Sequence, residues 1–286
     1  MVSKNKLSHS KDTHNSKQRI RKSAVAGYFY PEHPTVLADM IEQLLSYAQS
    51  INQKNNLPQQ PLRALVVPHA GYRYSGQVAA VAYALLLNHL YEFDRVLLLG
   101  PSHRMHFVGL AASGMTAWQT PLGKSALDLT ALSYFTVNDQ AHEKEHCLEV
   151  QVPFLQYLSQ ITKKDILLIP LLAGNLHPYD TAQFLLSVLK KPSFEKTLLL
   201  ITSDLSHYLP YHQAMAVDQQ TIRFLLTQDI ERMAMQGDAC GLMPLLVLMH
   251  FAKEAGWHPF LLDLRNSGDT AGDPSAVVGY ASVAYF

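Results

Sequence analysis

Three apolar runs in this chain of 286 residues each run into a histidine. LRALVV (62–67) is followed by Pro68-His69-Ala70-Gly71-Tyr72. RVLLL (95–99) is followed by Gly100-Pro101-Ser102-His103. TLLLIT (197–202) is followed by Ser203-Asp204-Leu205-Ser206-His207-Tyr208. Neutral imidazole is both a common metal ligand and a general base. If the runs are parallel strands, their carboxyl ends share one edge of the sheet, where α/β folds bind their ligands. Three imidazoles and a nearby carboxylate, Asp204, would then converge, which is how metal hydrolases and oxygenases are assembled. Taken one at a time, each histidine also reads as a loop residue that satisfies a backbone carbonyl.

Cys240 stands in Gly237-Asp238-Ala239-Cys240-Gly241, just ahead of an apolar helical stretch at 242–256. A helix N-terminus favours the thiolate and lowers a thiol's pKa. Thiolate is a soft ligand suited to copper(I), zinc or iron. The plainer reading is a small buried hydrophobe. His142-Glu143-Lys144-Glu145-His146 matches H-E-x-x-H, which on a helix offers two zinc ligands and a general base. The context argues against it. Residues 137–140 read as a turn, and the apolar stripe (Leu148, Val150, Val152, Leu155) starts only after His146. The pattern predicts a helix beginning near Glu143–Glu145, with His146 and Glu149 sharing the face toward the pocket. There is no G-x-G-x-x-G, Walker or G-x-S-x-G pattern, so dinucleotide, nucleoside triphosphate and serine-hydrolase chemistry are not indicated.

The elements that must position these residues follow from the apolar pattern. Further strand-like runs occupy 166–172, 259–264 and 277–286. Helical spacing follows Pro34 and recurs at 145–160, 178–190 and 212–228, and another helix starts near Ser75, a good N-cap. A polar linker spans 51–60. Short apolar runs alternating with helices predict an α/β protein: one three-layer α/β/α sandwich with a mostly parallel or mixed central sheet over 21–286. Hydrophobic residues make up 48 % of the chain, ample for such a core.

Charge is balanced, Lys+Arg 23 against Asp+Glu 23, but unevenly placed. Residues 1–22 hold seven basic residues and the single acid Asp12, so the body is net negative. That argues against nucleic acid as a partner. Residues 1–20 read as a disordered basic tail. The longest apolar stretch, 242–252, is about half of what a bilayer helix needs. The tail lacks the apolar region of a secretory signal, and two cysteines make no disulfide framework. The expected setting is cytoplasmic, away from membranes.

Taken in order, AVAGYFYP (24–31), LVVPHAGYRYSG, LLLGPSH, EHCLEVQVPFLQ, ITSDLSHY, DACG and the ending VVGYASVAYF resemble the Memo family, whose prokaryotic branch is called AmmeMemoRadiSam system protein B. The similarity covers residues 21–286. It implies a fold like that of the class III extradiol dioxygenases, with a non-haem metal site. It implies His69, His103 and Cys240 as metal ligands and Asp204 and His207 as the catalytic pair, with His207 in the acid/base position; His146, Glu149 and Tyr72 are the candidate substrate-binding residues beside them. The implied cofactor is iron or copper, with zinc admissible. The implied function is a redox, dioxygenase-like reaction on an unidentified substrate. A phosphopeptide- or anion-binding adaptor with a vestigial site, or a zinc-dependent hydrolase, are the alternatives. The ligand would be a small molecule or peptide, and the branch name points to a radical SAM protein and its companion as partners. Two features depart from the pattern. A thiolate replaces the dioxygenases' carboxylate ligand, softening the site. Cys147 replaces the family's usual serine and reads as a space-filling residue.

Overall fold

The computed structural model describes residues 18–53, 56–270 and 272–286. Among these, the elements in chain order are β1 (Ile20–Arg21), α1 (Pro34–Asn52), β2 (Ala64–Val67), α2 (Tyr72–His89), β3 (Arg95–Pro101), β4 (Leu110–Ala112), β5 (Ala117–Thr120), β6 (Gly123–Ala126), β7 (Thr136–Val137) and α3 (Asp139–Glu143). There follow α4 (Val152–Thr162), β8 (Leu167–Ala173), α5 (Pro178–Leu189), β9 (Thr197–Thr202), β10 (His207–Leu209), α6 (Tyr211–Leu226), α7 (Ile230–Gln236), α8 (Leu242–Ala255), β11 (Pro259–Asn266), α9 (Ser267–Thr270) and β12 (Val277–Tyr285).

The centre of the large sheet is β2-β9-β3-β8, all parallel. Antiparallel β12 and β4 flank it, so the sheet is mixed. Its central strands are the continuous apolar runs, as expected for strands buried on both faces. Alternation along them divides the core. Leu65, Val67, Leu198 and Leu200 pack under α1, α2 and α4 with Leu37, Ile41, Leu85 and Phe154. Val66, Leu97, Leu199 and Ile201 pack under α5, α6 and α8 with Leu185, Ile222 and Leu248. The result is the three-layer α/β/α arrangement the sequence predicts.

Local differences have physical causes. The helix expected from Ser75 starts at Tyr72, because the Ser75 hydroxyl donates back to the Ala70 carbonyl instead of capping. The helix expected over 145–160 is divided: α3 ends at Glu143, a 3-10 turn covers Glu149–Gln151, and α4 starts at Val152. Pro153 in the first turn of α4 fits that start, since proline has no N–H to give an upstream carbonyl. A small second sheet, β1-β5-β6, lies outside the predicted strands. It draws in residues assigned to the tail: Ile20 pairs with Ala117, and the Arg19 guanidinium donates to the Gly114 carbonyl. Residues 1–17 of that tail lie outside the described residues. Among the described residues, no helix is long and apolar enough to cross a membrane.

Candidate metal centre

Parallel β2, β9 and β3 are neighbours, so the loops leaving their carboxyl ends lie side by side. The first delivers His69, which is buried. Its backbone N–H donates to Asp204 Oδ1 at 2.8 Å, tying the β2 loop to the β9 loop. Its ring spans two partners, with Nδ1 3.0 Å from Thr202 Oγ1 and Nε2 3.1 Å from Cys240 Sγ. Thr202 is held in turn by Gln151, whose amide donates to Oγ1 at 2.9 Å.

Cys240 reaches the same edge from the start of α8. Gly241 permits this approach, because a Cβ there would lie 2.6 Å from Ser203 Cβ and 2.8 Å from the Thr202 carbonyl oxygen. The Ser203 hydroxyl accepts the Gly241 N–H, and the Asp204 N–H donates to Cys240 Sγ at 3.2 Å. A sulfur that receives an N–H is prepared to carry negative charge.

His103 follows β3. Its ring lies edge-on to His69 at 5.1 Å between centroids and stacks on His146 at 4.8 Å. One donor atom each from His69, His103 and Cys240 lie within 4.8 Å of one another. Zinc-type bonds of about 2.0 Å to nitrogen and 2.3 Å to sulfur set tetrahedral ligands about 3.5 Å apart. The His69–Cys240 contact is already at that scale, and the three side chains fit a soft transition metal. Behind His103 sits the buried Glu145, whose place in the sequence suggests only a first-turn acid. Its Oε2 accepts the His103 N–H at 2.7 Å and its Oε1 lies 3.0 Å from His103 Nδ1. His146 Nδ1 is 3.1 Å from the same Oε1, but off the line of an N–H···O bond.

The electrostatics follow from burial. Burial, then the neighbouring His103 and His146, hold His69 well below the usual imidazole range. It is therefore neutral at pH 7, the form that binds metal. Burial pushes the Asp204 carboxyl up, against the hydrogen bond from the His69 N–H. Burial alone would raise Glu145, but the imidazoles of His103 and His146 outweigh it and hold this carboxyl well below the carboxylate range. Cys240 corrects an expectation. Its thiol is pushed up to about 12 by burial and by the Asp204 carboxylate, which together outweigh the hydrogen bonding from the Asp204 and Gly241 backbone and the Ser203 hydroxyl. Without a cation the group is a thiol; a bound metal would remove its proton.

The structure brings His69, His103, Cys240, His146 and Asp204 to one edge. It treats the other candidates differently. His207 is exposed at the start of β10, followed by Tyr208 in the left-handed region at φ 60. No hydrogen bond joins His207 to Asp204, whose carboxylate serves the His69 loop instead. Its imidazole nevertheless acts electrostatically on both Asp204 and His69, so it lies near the centre on its exposed side. Glu149 does not face a pocket: its carboxylate is consumed by Arg21, by the N–H groups of Ala24 and Val25, and by the Tyr30 hydroxyl. Tyr72 is a core residue whose hydroxyl donates to the Val150 carbonyl. His142 is buried against Trp118 with Nε2 on the Ala111 carbonyl, so it does not pair with His146 across a zinc ion. Cys147 is wholly buried with its Sγ donating to the Pro101 carbonyl, a packing position.

The fold has a counterpart in the crystal structure of the uncharacterized protein JW3007 from Escherichia coli K12, at TM-score 0.50 and 13 % identity, covering 78 % of this chain and 99 % of that one. Sequence similarity runs closer. The chain is 36 % identical to a MEMO1 family protein of Sulfolobus acidocaldarius and 32 % identical to one of Aquifex aeolicus, each match covering 93 % of this chain and 99 % of the relative. A family model described as Memo-like protein matches residues 21–284, a span that contains every residue of the centre just described. This chain belongs to the Memo-like protein family.

Proposed function

We propose that this chain is a metal-dependent oxidoreductase of dioxygenase-like type, with iron or copper held by His69, His103 and Cys240. One observation supports it most: two imidazoles and a thiol, drawn from three separate loops, present donor atoms within 4.8 Å at the carboxyl edge of the sheet. An iron or copper ion there would supply one-electron redox steps and polarise an oxygen-donor substrate. The chain's own residues do the rest. Thr202 and Glu145 hold the rings of His69 and His103. The Asp204 N–H stabilises charge on the Cys240 sulfur. His146 stacks on His103, with Phe29 packed against its ring. His207 at the rim meets water and incoming ligand alike, and carries a proton to or from the bound molecule.

The test is elemental mass spectrometry on protein purified anaerobically in reductant, with His69→Ala, His103→Ala and Cys240→Ala alongside, followed by oxygen uptake on phenolic substrates. About one iron or copper per chain, lost in each variant without loss of fold, is expected. Stoichiometric zinc with no oxygen consumption would replace this reading with a hydrolase. Protein that takes up no metal but binds phosphorylated peptides in the presence of chelator would replace it with a binding module.

A further inference from the structure

We propose that Glu145 is the positioning residue of the centre, fixing His103 as the Nδ1–H tautomer so that Nε2 keeps its lone pair for a metal. The proposal rests on the metal reading above but makes a claim of its own about the metal-free protein. Five groups surround this one carboxylate. Oε2 accepts the His103 backbone N–H at 2.7 Å; Oε1 accepts the N–H groups of His146 at 2.9 Å and Cys147 at 3.2 Å. Oε1 also lies 3.0 Å from His103 Nδ1 and 3.1 Å from His146 Nδ1. An ionised carboxylate only accepts, so the proton on His103 must be on Nδ1 for this contact to be a hydrogen bond. The same acceptor sets the His103 backbone and the turn that carries His146, so ring angle and loop position are fixed together. Glu145 also has a carboxylate oxygen within 4.8 Å of donor atoms of His103 and His146, but with its oxygens already engaged by three backbone N–H groups it is a poorer ligand than it is a support.

Glu145 is itself anchored. Its carbonyl accepts from Arg21 Nη2 at 2.8 Å, and Arg21 Nε donates to the His142 carbonyl at 2.7 Å. A chain of contacts therefore runs from β1 through Arg21 and Glu145 to His103.

The experiment uses Glu145→Gln and Glu145→Ala in the full chain. Long-range proton–nitrogen NMR on metal-free protein labelled with 15N-histidine reads the tautomer of His103 directly. The wild type is expected to show Nδ1–H, and both variants a mixture of tautomers. Competition titration with Cu(I) or Fe(II) is expected to show affinity lower by about 10- to 100-fold in Glu145→Gln, with unchanged far-UV circular dichroism. Glu92→Gln, whose carboxylate pairs with His89 on the surface away from Arg21 and Glu145, is expected to leave the His103 signal unaltered. Wild-type protein with His103 as Nε2–H, or a Gln variant with wild-type tautomer and affinity, would overturn the proposal. A tautomer change in variants of a protein that binds no metal would uphold the positioning role and defeat the metal reading alone.

Discussion

Replacing Glu149 by leucine should cost the fold far more than it costs the centre, and the amount can be worked from its contacts. The carboxylate lies 2.6 Å from Arg21 Nη1, and both partners are almost fully buried. It also accepts the Ala24 N–H at 2.8 Å, the Val25 N–H at 3.0 Å and the Tyr30 hydroxyl at 2.7 Å. Leucine leaves the guanidinium without its counter-charge and three further donors without an acceptor. Removing one member of a buried ion pair costs about 3–5 kcal/mol, and the orphaned donors add to it to the extent that residues 24–30 cannot reach water. Arg21→Met alone should also be costly, because the His142 and Glu145 carbonyls lose their donor. The double variant should be less destabilised than the sum by about 2 kcal/mol, since the charge orphaned by one change is removed by the other. Urea unfolding followed by tryptophan fluorescence suits the test, because the Arg21 guanidinium lies 4.4 Å from the centre of the Trp118 ring. Metal affinity, measured where the variant is folded, should stay near that of wild type. A Glu149→Leu protein within 1 kcal/mol of wild type, or one with intact stability and lost metal or ligand binding, would refute the structural assignment.

Two further outcomes follow from the same geometry. In Gly241→Ala the new methyl meets Ser203 Cβ and the Thr202 carbonyl, neither of which is the far end of a flexible side chain; calorimetry should show a loss of about 1–3 kcal/mol and titration a weaker metal site as Cys240 is displaced, and unchanged affinity would show that the sulfur's position is not set there. His142, held down to about 4 chiefly by burial, binds no proton in the folded state between pH 6.5 and 4, whereas the unfolded chain does. Stability from this group is therefore fully present above about pH 6.5 and is lost as pH falls toward 4, by about 3 kcal/mol in total. His142→Gln should flatten the stability–pH curve across that window by about one proton, and an unchanged slope would refute the assignment.

Residues that topology alone brings together were legible in the sequence, and those positioned by side-chain pairing were not. The runs before His69 and His103 are buried parallel strands, whose signal is continuous apolarity, and each histidine comes two residues after its strand. So short an extension leaves no room to turn away from the sheet edge. His207 stands five residues beyond Thr202, and within that distance the chain passes Asp204 and enters β10. The rule that located the first two histidines had lost its force there. Glu149 departs from the expected pocket face for a different reason. A spacing of three puts two side chains on one face only while a helix continues, and residues 144–151 form a turn and a 3-10 segment instead. For Cys240 the helix N-terminus suggests a lowered thiol pKa, but burial and the Asp204 carboxylate, neither visible in local sequence, oppose it. Glu145 had no periodic signal at all. Its partners are the His103 loop, 42 residues away, and the Arg21 guanidinium, 124 residues away. The part of this centre that sets ring orientation is thus encoded in contacts remote in sequence, whereas the part that supplies ligands is encoded in strand ends.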